Sequence, residues 1–415
     1  MITSSPFTCN TRDRVASPIH DAHHNLRRAA MSSLIATLAC MAGVALAAGY
    51  TETDLVANKA TLTDANGIIH KPTFVDPNLL NAWGVGESLT SPFWVADNGA
   101  GVSTLYTTAG TPQALVVSIP APGEPLGNGG TPTGLVFNTA SGSGAFGISG
   151  CNPDGTPTTA PVPAVFLFAT EDGTILGWNP NVAPKIGTTC SSFTPPSTHA
   201  IIALDNSPAG AIYKGLAITN ANNTPLLYTT NFHAGTVEVY GANFKTPSTS
   251  VVPAGAFSDP TLPKGYAPFN IVPIGNRMFV TYAVQDADAE DDVAGQGHGI
   301  VDTYTFHGQM LARFAQHGQL DSPWGVTLAP ASFGDLAGDL LIGNFGNGHI
   351  NAFNPTTGEF IDKLRNTHGQ ELVIDGLWTI MFGNGGRGGD VNTLYFTAGP
   401  NGESDGLFGS VAPSP

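Results

Sequence analysis

The chain has 415 residues, of which 51 are Gly and 32 Pro, and only 11% are charged, where about a quarter is usual. Acids outnumber bases 31 to 15, for a formal charge of −16. These values exclude a coiled coil and a collagen-like chain, argue against a phosphate-binding surface and against disorder, and leave a turn-dense, mostly β protein.

In chain order, the first feature is a leader. Arg27 and Arg28 precede an apolar run from Ala29 to Ala48, and Ala45-Leu46-Ala47 has the small-x-small pattern of a signal-peptidase site. Basic flank, apolar stretch and small residues predict a secretory signal over residues 1–47, with a mature domain over 48–415. A membrane anchor is the other reading of the run, but Ser, Thr and Gly interrupt it. Removing residues 1–47 takes away four Arg and two Asp, so the mature charge becomes −18. Cys9 and Cys40 go too, leaving Cys151 and Cys190. An even pair in an exported chain predicts one disulfide over two free thiols. No second long apolar run follows, so no membrane span is expected in the mature chain.

Beyond the leader the chain repeats. A short motif opens each of six units: Asn81-Ala-Trp-Gly84, Thr131-Pro-Thr-Gly134, Tyr213-Lys-Gly215, Ala267-Pro-Phe-Asn270, Ser322-Pro-Trp-Gly325 and Asp375-Gly-Leu-Trp378. A second strand follows in each: PFWVADNG (92–99), AVFLFATEDG (164–173), PLLYTTNFHAG (225–235), RMFVTYAVQD (277–286), DLLIGNFGNG (339–348) and NTLYFTAGPNGE (392–403). A third strand follows a tight polar turn, and a weaker fourth follows that, such as Thr249–Gly255 in unit three. The second unit, about 131–210, is longer through Gly/Pro/Thr-rich stretches 138–162 and 181–198, which hold both cysteines. The sixth unit lacks a fourth strand, and Thr53–Asn58 is the segment that supplies it. Ring closure of this kind removes the free sheet edge. The pattern predicts an all-β, six-bladed β-propeller of four-stranded blades.

The motif set NAWG, PFWVADNG, TEDGTILGW, YKGLA, GYAPFNI, SPWGV, LLIGNFGNGHINAFN, DGLW and the terminal LYFTAGP with DGLFG resembles a family of exported bacterial proteins similar to propellers with NHL-type repeats. The resemblance spans residues 53–412. It implies the propeller fold and carries no activity with it.

In a propeller the starts of the inner strands and the turns between second and third strands share one face of the central channel. The inner strands bring Asn81, Trp83, Lys214, Asn270, Trp324, Asp375 and Trp378 there. The turns bring Asp97, Asn98, Glu171, Asp172, Asn231, His233, Gln285, Asp286, Asn344, Asn347, His349 and Glu403. Trp with Asn and Asp suits a sugar or another small polar molecule, since the rings cover apolar sugar faces while the polar groups bond hydroxyls. The bland alternative is that Asn and Asp before Gly are hairpin residues and the Trp pack between blades.

A second signal is the acidic run Asp286, Asp288, Glu290, Asp291 and Asp292. It resembles a Ca²⁺ loop in its hard oxygen donors but lacks the EF-hand spacing, and a solvated acidic loop is the plain reading. The GxGxxG match at Gly383–Gly388 has no following helix and predicts only a loop. The histidines are dispersed, with only His233, His298 and His349 placed to approach one face. The expected function is a binding or scaffold module for a polar ligand, glycan or protein partner, with no nucleic-acid role. The alternative is a lactonase-like hydrolase whose divalent cation is held in the channel by Glu171, Asn231, Asp286 and Asn344.

Overall fold

The computed structural model describes residues 49–414. The predicted signal segment 1–47 lies outside the described residues. Among those described, strands dominate and the only helical segments are four three-residue 3-10 turns.

The strands form six antiparallel blades in chain order. Blade one comprises Ala82–Gly86, Phe93–Asp97, Val102–Tyr106 and Val117–Ser118; blade two comprises Pro132–Phe137, Phe166–Thr170, Thr174–Trp178 and Ile201–Asp205. Blade three has Tyr213–Ala221, Thr224–Asn231 and Thr236–Gly241. Blade four follows with Tyr266–Ile274, Arg277–Val284, Gly299–Tyr304 and Met310–Gln316, and blade five with Pro323–Leu328, Leu340–Asn344, Ile350–Phe353 and Phe360–Lys363. Leu377–Phe382, Leu394–Ala398 and Leu407–Pro413 begin blade six, and Tyr50–Ala57 completes it, antiparallel to Leu407–Pro413. The expected closure is therefore present, with Phe74–Val75 adding a short parallel pairing outside it.

Only the fourth strand of unit three departs from expectation. Residues 249–255 form turns instead. Pro247 and Pro253 supply no N–H to a ladder, which disfavours a strand there.

Aliphatic and aromatic side chains pack in the spaces between neighbouring blades. Trp94, Leu135, Phe166 and Trp178, for example, join blades one and two. Every ring contact of this kind buries apolar area at roughly 25 cal/mol per Å². The Cys151–Cys190 disulfide forms as expected. It ties the two insertions of blade two together, both of which leave from the side opposite the turns that define the polar mouth.

One feature repeats in all six blades and was invisible in the sequence. Pairing of the first strand with the second breaks register at the opening motif: between Ala82 and Val85, at Pro132, between Tyr213 and Gly215, Pro268 and Asn270, Pro323 and Val326, and Leu377 and Ile380. A β-bulge re-aims a side chain and frees backbone groups. The freed carbonyls find partners on adjacent elements. Thr133 Oγ1 donates to Tyr213 O at 2.7 Å, Thr379 Oγ1 to Trp83 O at 2.7 Å, and Asn270 Nδ2 to Trp324 O at 2.8 Å. The motif glycine has a steric cause. A Cβ on Gly84 would sit 2.3 Å from Thr133 O, and one on Gly134 would sit 2.4 Å from Leu216 N. Adjacent inner strands meet at these points.

Candidate functional site

The residue at the bulge differs between blades: Trp83, Thr133, Lys214, Phe269, Trp324 and Trp378 in blades one to six. Three of them, with their neighbours, plug the channel. Trp378 is stacked between Trp83, at 3.6 Å between ring centroids, and Phe345, at 3.9 Å. Trp324 meets both Trp83 and Trp378 edge-on. Offset-stacked and edge-to-face contacts are the preferred geometries for aromatic pairs. Trp83, Trp324 and Trp378 are 1%, 4% and 1% exposed. The expectation of open aromatic platforms is therefore corrected: the rings are core of the channel, because the bulges turn them inward where six inner strands converge. Trp378 Nε1 donates to Asn81 Oδ1 and Trp324 Nε1 to Lys214 O, while Trp83 Nε1 is buried without a partner.

A polar network lies against this plug. Lys214 Nζ is 5.3 Å from the Trp83 ring centroid, bonds Glu171 Oε1, and lies 3.0 Å from Asp291 Oδ1. Glu171 Oε2 accepts from Asn98 Nδ2 at 2.9 Å. Asn98 Oδ1 in turn accepts from Asn81 Nδ2 at 3.2 Å, and Asn81 Nδ2 also reaches Glu403 Oε2 at 2.5 Å. Residues of blades one, two, three, four and six are thus joined across the mouth. Burial alone would depress the Lys214 ammonium, but Glu171 and Asp291 outweigh it and hold its pKa above the ordinary value. Lys214 is thus held as an ammonium between two carboxylates. Burial pushes Glu403 up to about 7, with Glu171 adding to the rise. Beside the network is a recess of about 300 Å³ lined by Thr131, Glu171, Asp172, Ile212, Glu290 and Asp291. Four of those six residues carry carboxyl groups.

The other predicted site residues are distributed differently. Asp97 is fully buried and accepts from Thr104 N within its own blade; burial raises its pKa well above the carboxylate range. Asn231 bonds Glu238 and the backbone of Ile212 and Ala234, tying down its own hairpin. Asn344 is fully buried and bonds Gln319 O and Asn347. His233 is exposed. His298 bonds Val293 O and His349 pairs with Glu371, so these histidines have separate partners. The hydrolase set Glu171, Asn231, Asp286 and Asn344 is thus split between local structural bonds, and the charge beside Glu171 is the Lys214 ammonium.

The acidic run is split as well. Asp286 accepts from Glu290 N and shapes its own turn, while Asp288 is exposed. Asp291 leaves the loop to meet Lys214, and Glu290 lines the recess with it. Asp292 is mostly buried, which raises its pKa to about 6, and one of its oxygens has no partner. Through Asp291 and Glu290 the loop reaches the channel mouth.

Among the described residues, the one group of three side chains with ligand atoms close enough to share a metal ion is Glu52, Asp54 and His70, on and beside the closing strand. His70 Nδ1 is 2.9 Å from Asp54 Oδ1 and its Nε2 is 3.6 Å from Asp64 Oδ2. Sequence reading passed over His70 as one dispersed histidine, since nothing in its local pattern shows that the chain folds back there.

No protein-family profile matches the chain. Over 339 residues it is 30% identical to Uncharacterized protein L690 of Acanthamoeba polyphaga mimivirus, covering 81% of each chain. The chain belongs to the family of that protein. Uncharacterized protein R648 of the same virus is 29% identical over 339 residues, covering 81% of this chain and 76% of its own. Among solved structures, a streptogramin B lyase has a TM-score of 0.44 at 10% identity, covering 87% of this chain and 96% of its own. A PQQ-bound aldose sugar dehydrogenase from Streptomyces coelicolor has a TM-score of 0.40 at 10% identity, covering 88% and 99%. These likenesses carry no inference about chemistry.

Proposed function

We propose that the protein is an exported binding module whose polar channel mouth takes a small polar ligand bearing positive charge, such as an amino sugar or the amine of a peptide. The observation that carries this reading is the recess walled by Glu171, Asp172, Glu290 and Asp291 against a network from five blades. The one cation of that network, Lys214, is 2% exposed, so its charge is turned inward while the carboxylates face the recess. Such a wall attracts cations and repels phosphate, which supports the absence of a nucleic-acid role. A glycan or protein partner presenting an amine is compatible with the same wall. The oxidised pair Cys151–Cys190 and the sequence resemblance to a family of exported propeller proteins support export.

Calorimetric titration with glucosamine, spermidine, glucose and glucose 6-phosphate tests the ligand class. Binding of the amines, weakened by salt and by Asp291→Asn or Glu171→Gln, is expected. Preference for the phosphate, or amine binding indifferent to both variants, would sink the reading. Export is tested by sequencing the N-terminus of the secreted product, with Ala48 expected.

A further inference from the structure

The channel has a second chamber on the other side of the aromatic plug. It is a shaft of about 370 Å³ enclosed by the exit halves of all six inner strands, which contribute Val85, Leu135, Ile218, Val272, Val326 and Met381 in turn. Trp324 belongs to both the plug and the lining, so the plug forms the closed end. No ionisable side chain lines the shaft. Of its few polar side chains, Asn270 is committed to Trp324 O and Ile271 N, and Thr379 to Trp83 O. The hydroxyl of Thr327, half-buried, is the remaining polar side-chain group, and the free edges of the six inner strands add backbone N–H and C=O groups. Towards solvent the apolar character continues: Val136, Ile218, Val272, Ile274 and Phe382 are partly exposed and Leu328 is 44% exposed.

We propose that this shaft binds an uncharged, largely apolar small molecule, at a site separate from the polar mouth. Three observations select that occupant. The volume lies within the roughly 300–1,000 Å³ typical of small-ligand sites. The walls close on all six sides and at one end, so the shape suits an inserted molecule; a docked protein face needs roughly 800 Å² of surface per partner. A charged group inside would lose hydration with no counter-charge to offset the loss. The inference does not rest on the ligand proposed for the mouth. Its geometry follows from the same bulges, which place the aromatic side chains at one level of the channel and leave aliphatic side chains below.

The test is a fluorescence titration of the folded 48–415 chain with N-phenyl-1-naphthylamine, an uncharged apolar probe. Saturable enhancement with one site per chain is expected. Val272→Glu, which places a carboxylate in the shaft, is expected to weaken binding at least tenfold. Thr327→Trp, which fills the mouth of the shaft without adding charge, should do the same and covers the case in which Val272→Glu fails to fold. Leu311→Glu, at an exposed apolar position on the fourth strand of blade four, should leave the titration unchanged. The proposal is overturned if the wild type shows no saturable site, or if binding survives the shaft variants. It is equally overturned if sedimentation shows a dimer that Val272→Glu dissociates, since a second copy would then cover the shaft.

Discussion

Lys214 and Glu171 make an asymmetric pair, and the asymmetry can be measured. The lysine side chain is 2% exposed, Glu171 is 24% exposed and Asp291 is 75% exposed. Replacing Glu171 by Met keeps the volume but leaves the buried ammonium with only the solvent-exposed Asp291. It also strips Asn98 Nδ2 of its acceptor. Removing one partner of a buried pair costs about 3–5 kcal/mol. Lys214→Met leaves two carboxylates that water already reaches, and Glu171 keeps Asn98. The loss there is closer to that of one charged hydrogen bond, about 1.5–3 kcal/mol, and solvent screening lowers it further. The double variant lays two thioethers against the Trp83 region and strands no charge. It should be more stable than Glu171→Met alone, with a coupling energy of at least about 1 kcal/mol. Urea denaturation of the four proteins, with the disulfide intact, gives all three quantities. A coupling near zero, or Lys214→Met more damaging than Glu171→Met, would refute the view that the buried ammonium depends on Glu171.

Stability should rise as pH falls from about 8 towards 5. Glu52 and Glu403 are pushed up to about 7 and Glu87 to about 8, each chiefly by burial, so the folded chain holds protons that the unfolded chain releases. More protons bound in the folded state means stability declines as pH rises through that window. His70 acts in the same direction. Burial opposes its charge, but Asp54 and its acidic neighbours raise its pKa, so its contribution is present below about 6.5 and lost above the raised value. His349, lowered by burial, works the other way. Urea midpoints at pH 5.5 and 8 check the net sign, and Glu403→Gln should flatten the difference. Gly134→Ala should destabilise by about 1–3 kcal/mol through overpacking against Leu216 N, whereas Gly142→Ala, with open space around it, should be neutral or slightly stabilising. Equal effects in thermal melts would remove the close-approach explanation. Replacing Cys151 and Cys190 by Ala opens a loop of 39 residues and should lower stability by up to about 4 kcal/mol, read by denaturation under non-reducing conditions.

The parts of the site that the sequence exposed are those carried by the repeat. Asn81, Glu171 and Lys214 fall at fixed points of the units, and propeller topology sends such points to one face. Not every residue at those points faces the mouth. Asn231 and Asn344 serve their own hairpins, since an Asn at a turn has backbone groups within reach whether or not a ligand exists. The tryptophans look alike in a sequence whether they cover a sugar or fill a channel. Their burial, together with the mutual stacking and edge-on contacts of the three rings, distinguishes the two.

The sequence by itself determined the number of blades, the closing segment and the cysteine pair, because strand periodicity, turn residues and composition are local signals that repeat. Tertiary structure alone decided what lies along the axis. The six bulges depend on the pairing of two strands, and the charge network depends on residues up to 322 positions apart, as with Asn81 and Glu403. The shaft depends on six strand ends meeting at once. Such features arise from the convergence of distant backbones, and no single unit of the repeat contains them.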